Sequence, residues 1–112
     1  MLIVSFVETR VFTRQIRSVL DDESYAEFQQ ELARNPEKGP VISGTGGLRK
    51  VRWKLPGKGK SGGIRIIYLY LKLRGRIYLI FVFSKDECDN LTTAQKAELK
   101  KWVGAIKKEF RE

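Results

Sequence analysis

Residues 64–83 read IRIIYLYLKLRGRIYLIFVF, and this stretch decides the fold. Two runs of β-branched and aromatic residues, 64–73 and 76–83, flank Arg74-Gly75, a pair suited to a tight turn. Such composition fits a pleated surface buried on both sides, so the stretch predicts a β-hairpin at the centre of a sheet. Just before it, LRKVRWKL (48–55) mixes basic and apolar residues and predicts a third strand. Between these strands lies PGKGKSGG (56–63), which contains both G-x-G-x-x-G and the fragment G-K-S.

Those glycine motifs do not make a nucleotide site. A phosphate-binding loop needs G-x-x-x-x-G-K-[ST] followed at once by a helix whose N-terminus holds the phosphate. Lys54 stands where the first glycine belongs, and a strand follows Gly63. The dinucleotide fingerprint fails on the same missing helix. A kinase-type glycine loop does sit between strands, but the chain has neither H-R-D nor D-F-G and no length for two lobes. The stretch reads instead as a glycine-rich hairpin loop that presents Lys58 and Lys60 beside Lys54, suited to phosphate contact.

Working toward the N-terminus, NPEKGPVISGTGG (35–47) is a loop. Tyr25, Phe28 and Leu32 recur at helical spacing and predict a helix over 22–34, with Asp21-Asp22-Glu23-Ser24 supplying its cap and first-turn acids. Phe12, Ile16, Val19 and Leu20 predict a preceding helix over 9–20, so the two make an α-hairpin. LIVSFV (2–7) predicts a short buried strand. Toward the C-terminus, Thr92-x-x-Gln95 is a capping box. The helix it opens carries Leu99, Trp102, Val103, Ile106 and Phe110 on one stripe that should pack on the sheet. The order is β-α-α-β-β-β-α, an α+β domain spanning 1–112 with no internal repeat.

Twenty-two Lys/Arg against thirteen Asp/Glu give +9, and the surplus is local. Between Arg49 and Arg76 there are ten basic residues and no acid, so the rest of the chain sums to 12 − 13 = −1. A merely solubilising face mixes signs, so this segregation points to a polyanionic partner. Strand alternation places Arg65 on the face of Ile67, Leu69 and Leu71, and Lys50 and Arg52 alternate on the neighbouring strand. Several cations can thus converge on one surface, where arginine binds phosphate bidentately and fixed cations stabilise charge on a phosphoryl oxygen. Lys85, just past the last strand, either joins them or pairs with Asp86 or Glu87. Tyr68, Tyr70 and Trp53 either belong to the core or, if exposed, stack on bases.

Other chemistries lack their residues. Cys88 is the sole cysteine and there is no histidine, so neither a disulfide, a Cys/His metal site nor an activated thiol is expected. No carboxylate pair stands near the basic segment for two-metal or two-carboxylate hydrolysis. No apolar run approaches the roughly 18–20 residues of a membrane span, and MLIVSFVETR lacks a basic n-region and cleavage site, so a cytoplasmic protein is expected.

The β-α-α-β-β-β-α order, GTGGLRKVRW (44–53), GKGKSGG (57–63) and IRIIYLY (64–70) together resemble the RelE/HigB-type toxins of bacterial type II toxin–antitoxin systems, in particular the HigB-like subgroup. The resemblance implies a RelE-like microbial ribonuclease fold and a ribosome-dependent endoribonuclease, an mRNA interferase. Such an enzyme cuts messenger in the ribosomal A site by attack of the substrate's 2′-hydroxyl, leaving a 2′,3′-cyclic phosphate without cofactor or metal. By position, the family's basic strand pair falls on Lys50 and Arg52, its phosphate-binding arginine on Arg65, and the hairpin lysines on Lys58 and Lys60. Crowded lysines repel one another, which lowers their pKa and suits one of them to act as base. The resemblance further implies contact with rRNA, a cognate antitoxin of helix-turn-helix or other DNA-binding type, and operator binding only through that antitoxin.

The sequence departs from RelE proper after the last strand. Lys85 is kept, but Asp86 stands where that group has an arginine and Thr92 where it has a tyrosine, so analogy does not assign the general acid or base. Related ParE-type toxins share the fold and inhibit gyrase, and the same cations would also serve a non-catalytic RNA- or ribosome-binding module. The retained basic cluster favours the RNA-cutting branch.

Overall fold

The computed structural model describes residues 3–55, 63–84 and 91–111. Its elements are β1 (Ser5–Glu8), α1 (Arg10–Val19), α2 (Asp22–Arg34), β2 (Arg49–Trp53), β3 (Ile64–Leu71), β4 (Arg76–Ser84) and α3 (Thr93–Phe110). The four strands form one sheet in the order β1-β4-β3-β2. β1 runs parallel to β4, and the other pairs are antiparallel. The predicted element order is therefore the observed one. Two readings of strands are corrected. β1 begins at Ser5 and ends at Glu8 rather than spanning 2–7, and as an edge strand it is half-exposed rather than buried, with Ile3 before it 85% exposed. β3 ends at Leu71 rather than Leu73, and a single 3-10 turn, Lys72–Arg74, leads to Gly75 at φ 58°. Leu73, in that turn, is 78% exposed.

The central hairpin is apolar on both faces because each is covered by helices. α1 and α2 cover one face, where Phe12, Ile16, Phe28 and Leu32 pack on Ile64, Ile66, Tyr68, Ile77 and Leu79. α3 covers the other, where Leu99, Trp102, Val103, Ile106 and Phe110 meet Ile67, Leu69, Leu71 and Tyr78. The stripe expected of the last helix is thus the one it buries. Its capping box is formed: Thr92 Oγ1 accepts from Gln95 N at 3.1 Å, and Gln95 Oε1 accepts from Thr92 N at 2.9 Å. At the start of α2, Asp21 accepts from Ser24 N at 2.7 Å, and that bond holds its carboxyl below the usual range.

A bulge lies between the two long strands. Ile67 pairs with Phe81 but Tyr68 pairs with Leu79, so Ile80 is an extra residue on β4. β1 ends at Glu8, opposite Leu79, leaving the outer edge of β4 to be closed by something other than a strand. α1 does so. Thr9 N donates to Leu79 O at 3.1 Å, Thr9 Oγ1 donates to Ile80 O, and Gln15 Oε1 accepts from Val82 N at 2.9 Å. Thr9 Oγ1 also caps α1, accepting from Phe12 N at 3.1 Å. One hydroxyl therefore starts a helix and closes a bulge.

Thr9→Val keeps the shape but removes both bonds, and we expect it to cost about 2 kcal/mol, the sum of a lost cap and a stranded carbonyl. Urea unfolding of the variant checks this; an unchanged midpoint would show that water replaces the hydroxyl at both positions.

Candidate nucleic-acid interface

The site is built by the register of β2 on β3. Lys50 N donates to Pro40 O at 3.1 Å, so its N–H points away from β3. Lys50 and Arg52 consequently occupy non-hydrogen-bonded positions of the ladder, in which Cα atoms lie only about 4.5 Å from their partners and side chains approach most closely. Their partners are Ile67 and Arg65. Arg52 and Arg65 thus stand directly opposite one another on the α3 face, with Lys50 two residues along the same face. On the other side of Arg65 its β4 partner is Phe83, whose ring lies 6.0 Å from that of Phe81.

Because the extra residue of the bulge sits on β4, alternation along β3 runs uninterrupted and the sequence-based placement of Arg65 is met. Arg65 is 2% exposed, Lys50 half-buried and Arg52 exposed, so the charges step from the interior to the surface. Like charges directly opposed across a strand pair destabilise a sheet. Burial of the whole Arg65 side chain, its Nη1 included, fixes the direction of the guanidinium, and a fixed direction is what preorganised recognition of an anion requires.

The loop before β2 holds this register. Thr45 Oγ1 donates to Ile42 O at 2.6 Å and accepts from Leu48 N at 3.1 Å, while Lys107 Nζ donates to Gly46 O at 2.7 Å. Gly46 has φ 81°, a backbone conformation L side chains rarely adopt, and this conformation rather than lack of room against Val103 calls for glycine where the loop seats on α3. At Gly39 a Cβ would fall 2.7 Å from the Lys50 carbonyl oxygen. The G-T-G-G-L-R-K run is therefore the scaffold that launches Lys50 and Arg52.

Lys54 follows β2 and is exposed. With Arg52, Trp53 and Leu55 it lines a groove of about 530 Å³ whose far wall carries Glu27, Glu31 and Lys38. Trp53 is half-buried with its edge on Phe28 at 5.3 Å and Lys38 Nζ 5.8 Å from its ring. Lys58, Lys60 and Lys85 lie outside the described residues. Thr92, in the position where RelE carries a tyrosine, is committed to its capping box.

Tyr68 corrects an expectation. It is fully buried on the helical-hairpin face, donating to Pro36 O at 2.8 Å and accepting from Gly39 N at 3.0 Å. A ring so placed has no face for a base. It pins the loop after α2 to the sheet instead, and burial raises its pKa, partly offset by the Gly39 bond.

The fold is that of RelE toxins. The isolated E. coli RelE toxin superposes with a TM-score of 0.55 at 15% identity, covering 95% of this chain and 98% of that one. A chain of the intact E. coli RelBE toxin-antitoxin complex gives 0.54 at 16% identity, over 71% of this chain and 94% of that one. The chain belongs to the RelE family: the family model described as the RelE toxin of the RelE / RelB toxin-antitoxin system matches residues 5–111. Among the described residues there is no group of His, Cys, Asp and Glu that could hold a metal ion, and no helix long and apolar enough to cross a membrane.

Tyr68→Phe is expected to leave RNA binding unchanged while lowering stability by about 1–3 kcal/mol, since Gly39 N–H loses its acceptor. The raised folded-state pKa means stability is full below the ordinary tyrosine value and falls as pH rises through the folded one. Unfolding midpoints measured from neutral to alkaline pH should fall above about pH 10, and fall less steeply in the variant.

Proposed function

We propose that this toxin is a ribosome-dependent endoribonuclease that cuts messenger RNA in the A site and so inhibits translation. The observation that carries the reading is the direct opposition of Arg52 and Arg65, with Lys50 on the same face, in a chain of the RelE family. A scissile phosphate seated there meets two guanidinium groups from adjacent strands. The neighbouring 2′-hydroxyl of the substrate attacks phosphorus, the bond to the 5′-oxygen of the next nucleotide breaks, and the products carry a 2′,3′-cyclic phosphate and a 5′-hydroxyl. Arg65 and Arg52 stabilise the charge that builds on the non-bridging oxygens, and Lys50 adds to that field.

The attack itself consumes no cofactor, because the nucleophile belongs to the substrate. A proton must leave the 2′-hydroxyl and another must reach the 5′-oxygen. Lys85 and the hairpin lysines Lys58 and Lys60 are the basic groups the sequence offers for these transfers, and Lys54, exposed just after β2, is a candidate contact for the RNA strand. A cognate antitoxin, supported by the family and by the fold shared with the toxin of a RelBE complex, would silence the activity by covering this cationic face or by keeping the toxin off the ribosome. The cytoplasm is where such a partner and substrate occur.

The test is mapping of 5′ ends on a defined messenger in a purified translation system. Wild-type protein should create new ends inside codons only when ribosomes are present. Arg65→Ala should lower cleavage by about 10²–10³-fold, the usual loss when one preorganised donor is removed. Arg52→Gln, at an exposed position, should lower it less and keep the melting temperature. Intact messenger with the wild-type protein would sink the reading, and gyrase supercoiling would be assayed next.

A further inference from the structure

Phosphate binding does not account for the groove beside Lys54. One wall is the end of β2, with Arg52, Trp53 and Lys54, and the other is α2, with Glu27 and Glu31. A surface that only tracks a sugar-phosphate backbone is built from cations, because carboxylates repel it. Two acids stand here all the same, facing the segment that carries the whole positive surplus. They are not equivalent. Glu31 Oε1 accepts from Lys38 Nζ at 2.7 Å, and Lys38 Nζ in turn lies 5.8 Å from the centre of the Trp53 ring. The carboxylate of Glu27, one turn earlier on the same helix face, makes no hydrogen bond or ion pair among the described residues.

The β2 wall offers a polar group of its own. β2 is the outermost strand, and Arg52 occupies a non-hydrogen-bonded position opposite Arg65, so its backbone N–H points away from β3 toward the open edge. Lys50 N–H, two residues earlier, is taken by Pro40 O, whereas among the described residues Arg52 N–H has no partner. Trp53 is half-buried: its edge rests on Phe28, and the rest of the indole lines the groove. An aromatic ring, an unpaired carboxylate and an unpaired N–H match the parts of a nucleobase, which has a flat π face, N–H donors and ring or carbonyl acceptors. The carboxylate also selects among bases. Guanine presents two adjacent donors, N1–H and its 2-amino group, which one carboxylate accepts together; the other bases offer a single donor site flanked by acceptors.

We propose that this groove is a guanine subsite for the RNA strand held at Arg65, with Glu27 accepting from the base edge and Trp53 stacking on its face. Arg52 belongs to both the cationic cluster and the groove. A strand leaving Arg65 crosses one strand spacing, about 4.8 Å, to pass over the sheet edge, so a base about one or two nucleotides away reaches the groove. The subsite biases where along a messenger the cluster acts, without touching the scissile phosphate. The proposal rests on the reading of this chain as an RNA-cutting toxin and adds a source of sequence preference.

The test measures binding rather than cleavage, so its result stands apart from the nuclease reading. Labelled 2′-O-methyl RNA hexamers, which cannot be cut, carry guanine, inosine, adenine or cytosine at one central position in a uracil background. They are titrated at about 50 mM KCl, where phosphate contacts are strong. Wild-type protein should bind the guanine strand roughly ten-fold tighter than the adenine strand, with inosine, which lacks the 2-amino group, in between. Glu27→Gln, at an exposed position, should keep the melting temperature and bring all the strands within about two-fold of one another. The guanine strand should also quench indole fluorescence, and Trp53→Phe should remove that signal while Trp102 remains. Equal affinities in the wild type, no measurable binding of any strand, or a guanine preference that survives Glu27→Gln each overturns the proposal. Guanosine 5′-monophosphate bound as tightly as the guanine hexamer overturns the placement on the strand path, since the groove then serves a free nucleotide. A Glu27-dependent guanine preference in a protein that leaves messenger intact on ribosomes overturns the nuclease reading and keeps the subsite.

Discussion

The junction of Thr9, Gln15 and the bulge at Ile80 governs much of the rest of the structure. β4 is longer than the strand beside it, and an unclosed edge would leave its polar backbone groups in competition with other chains. α1 meets that need with one hydroxyl and one amide, and in doing so it fixes where the helical hairpin lies on the sheet. The bulge also has a consequence for faces. Val82 returns to the helical-hairpin side, while Phe81 and Phe83 project with Arg65 toward the α3 side. Had the extra residue fallen on β3, Arg65 would have changed faces relative to Leu69 and Leu71, and the cationic cluster would not exist.

The cationic cluster is held in place by parts that carry no charge. Tyr68 ties the loop after α2 to the buried face of β3, and Gly39 lets that loop approach the Lys50 carbonyl. Thr45 and Gly46 seat the next loop on α3, so β2 enters the sheet in one register only. Two guanidinium groups opposed across a strand pair repel, and the sheet tolerates them because the apolar contacts on both faces stabilise the register far more than one such pair disturbs it.

Element types and order follow from periodicity in the sequence, since strand and helix repeats are properties of neighbouring residues. The capping box at Thr92, the caps at Asp21, the stripe of the last helix and the α2 range were all legible for that reason. Arg65 on the face of Ile67 was legible too, given an unbroken strand. The end of β3 at Leu71 was not, because Lys72 and Leu73 continue the residue types of a strand while the chain turns under them.

The sequence alone also determined the charge asymmetry, the absence of histidine and the resemblance carried by GTGGLRKVRW and GKGKSGG. Which tyrosine is core and which faces solvent depends on what covers each face, so only the tertiary structure could bury Tyr68 against Pro36 and Gly39. The opposition of Arg52 to Arg65 required the register of two strands separated in sequence by a glycine-rich segment, and register is set by hydrogen bonds and packing between elements, which no local pattern encodes.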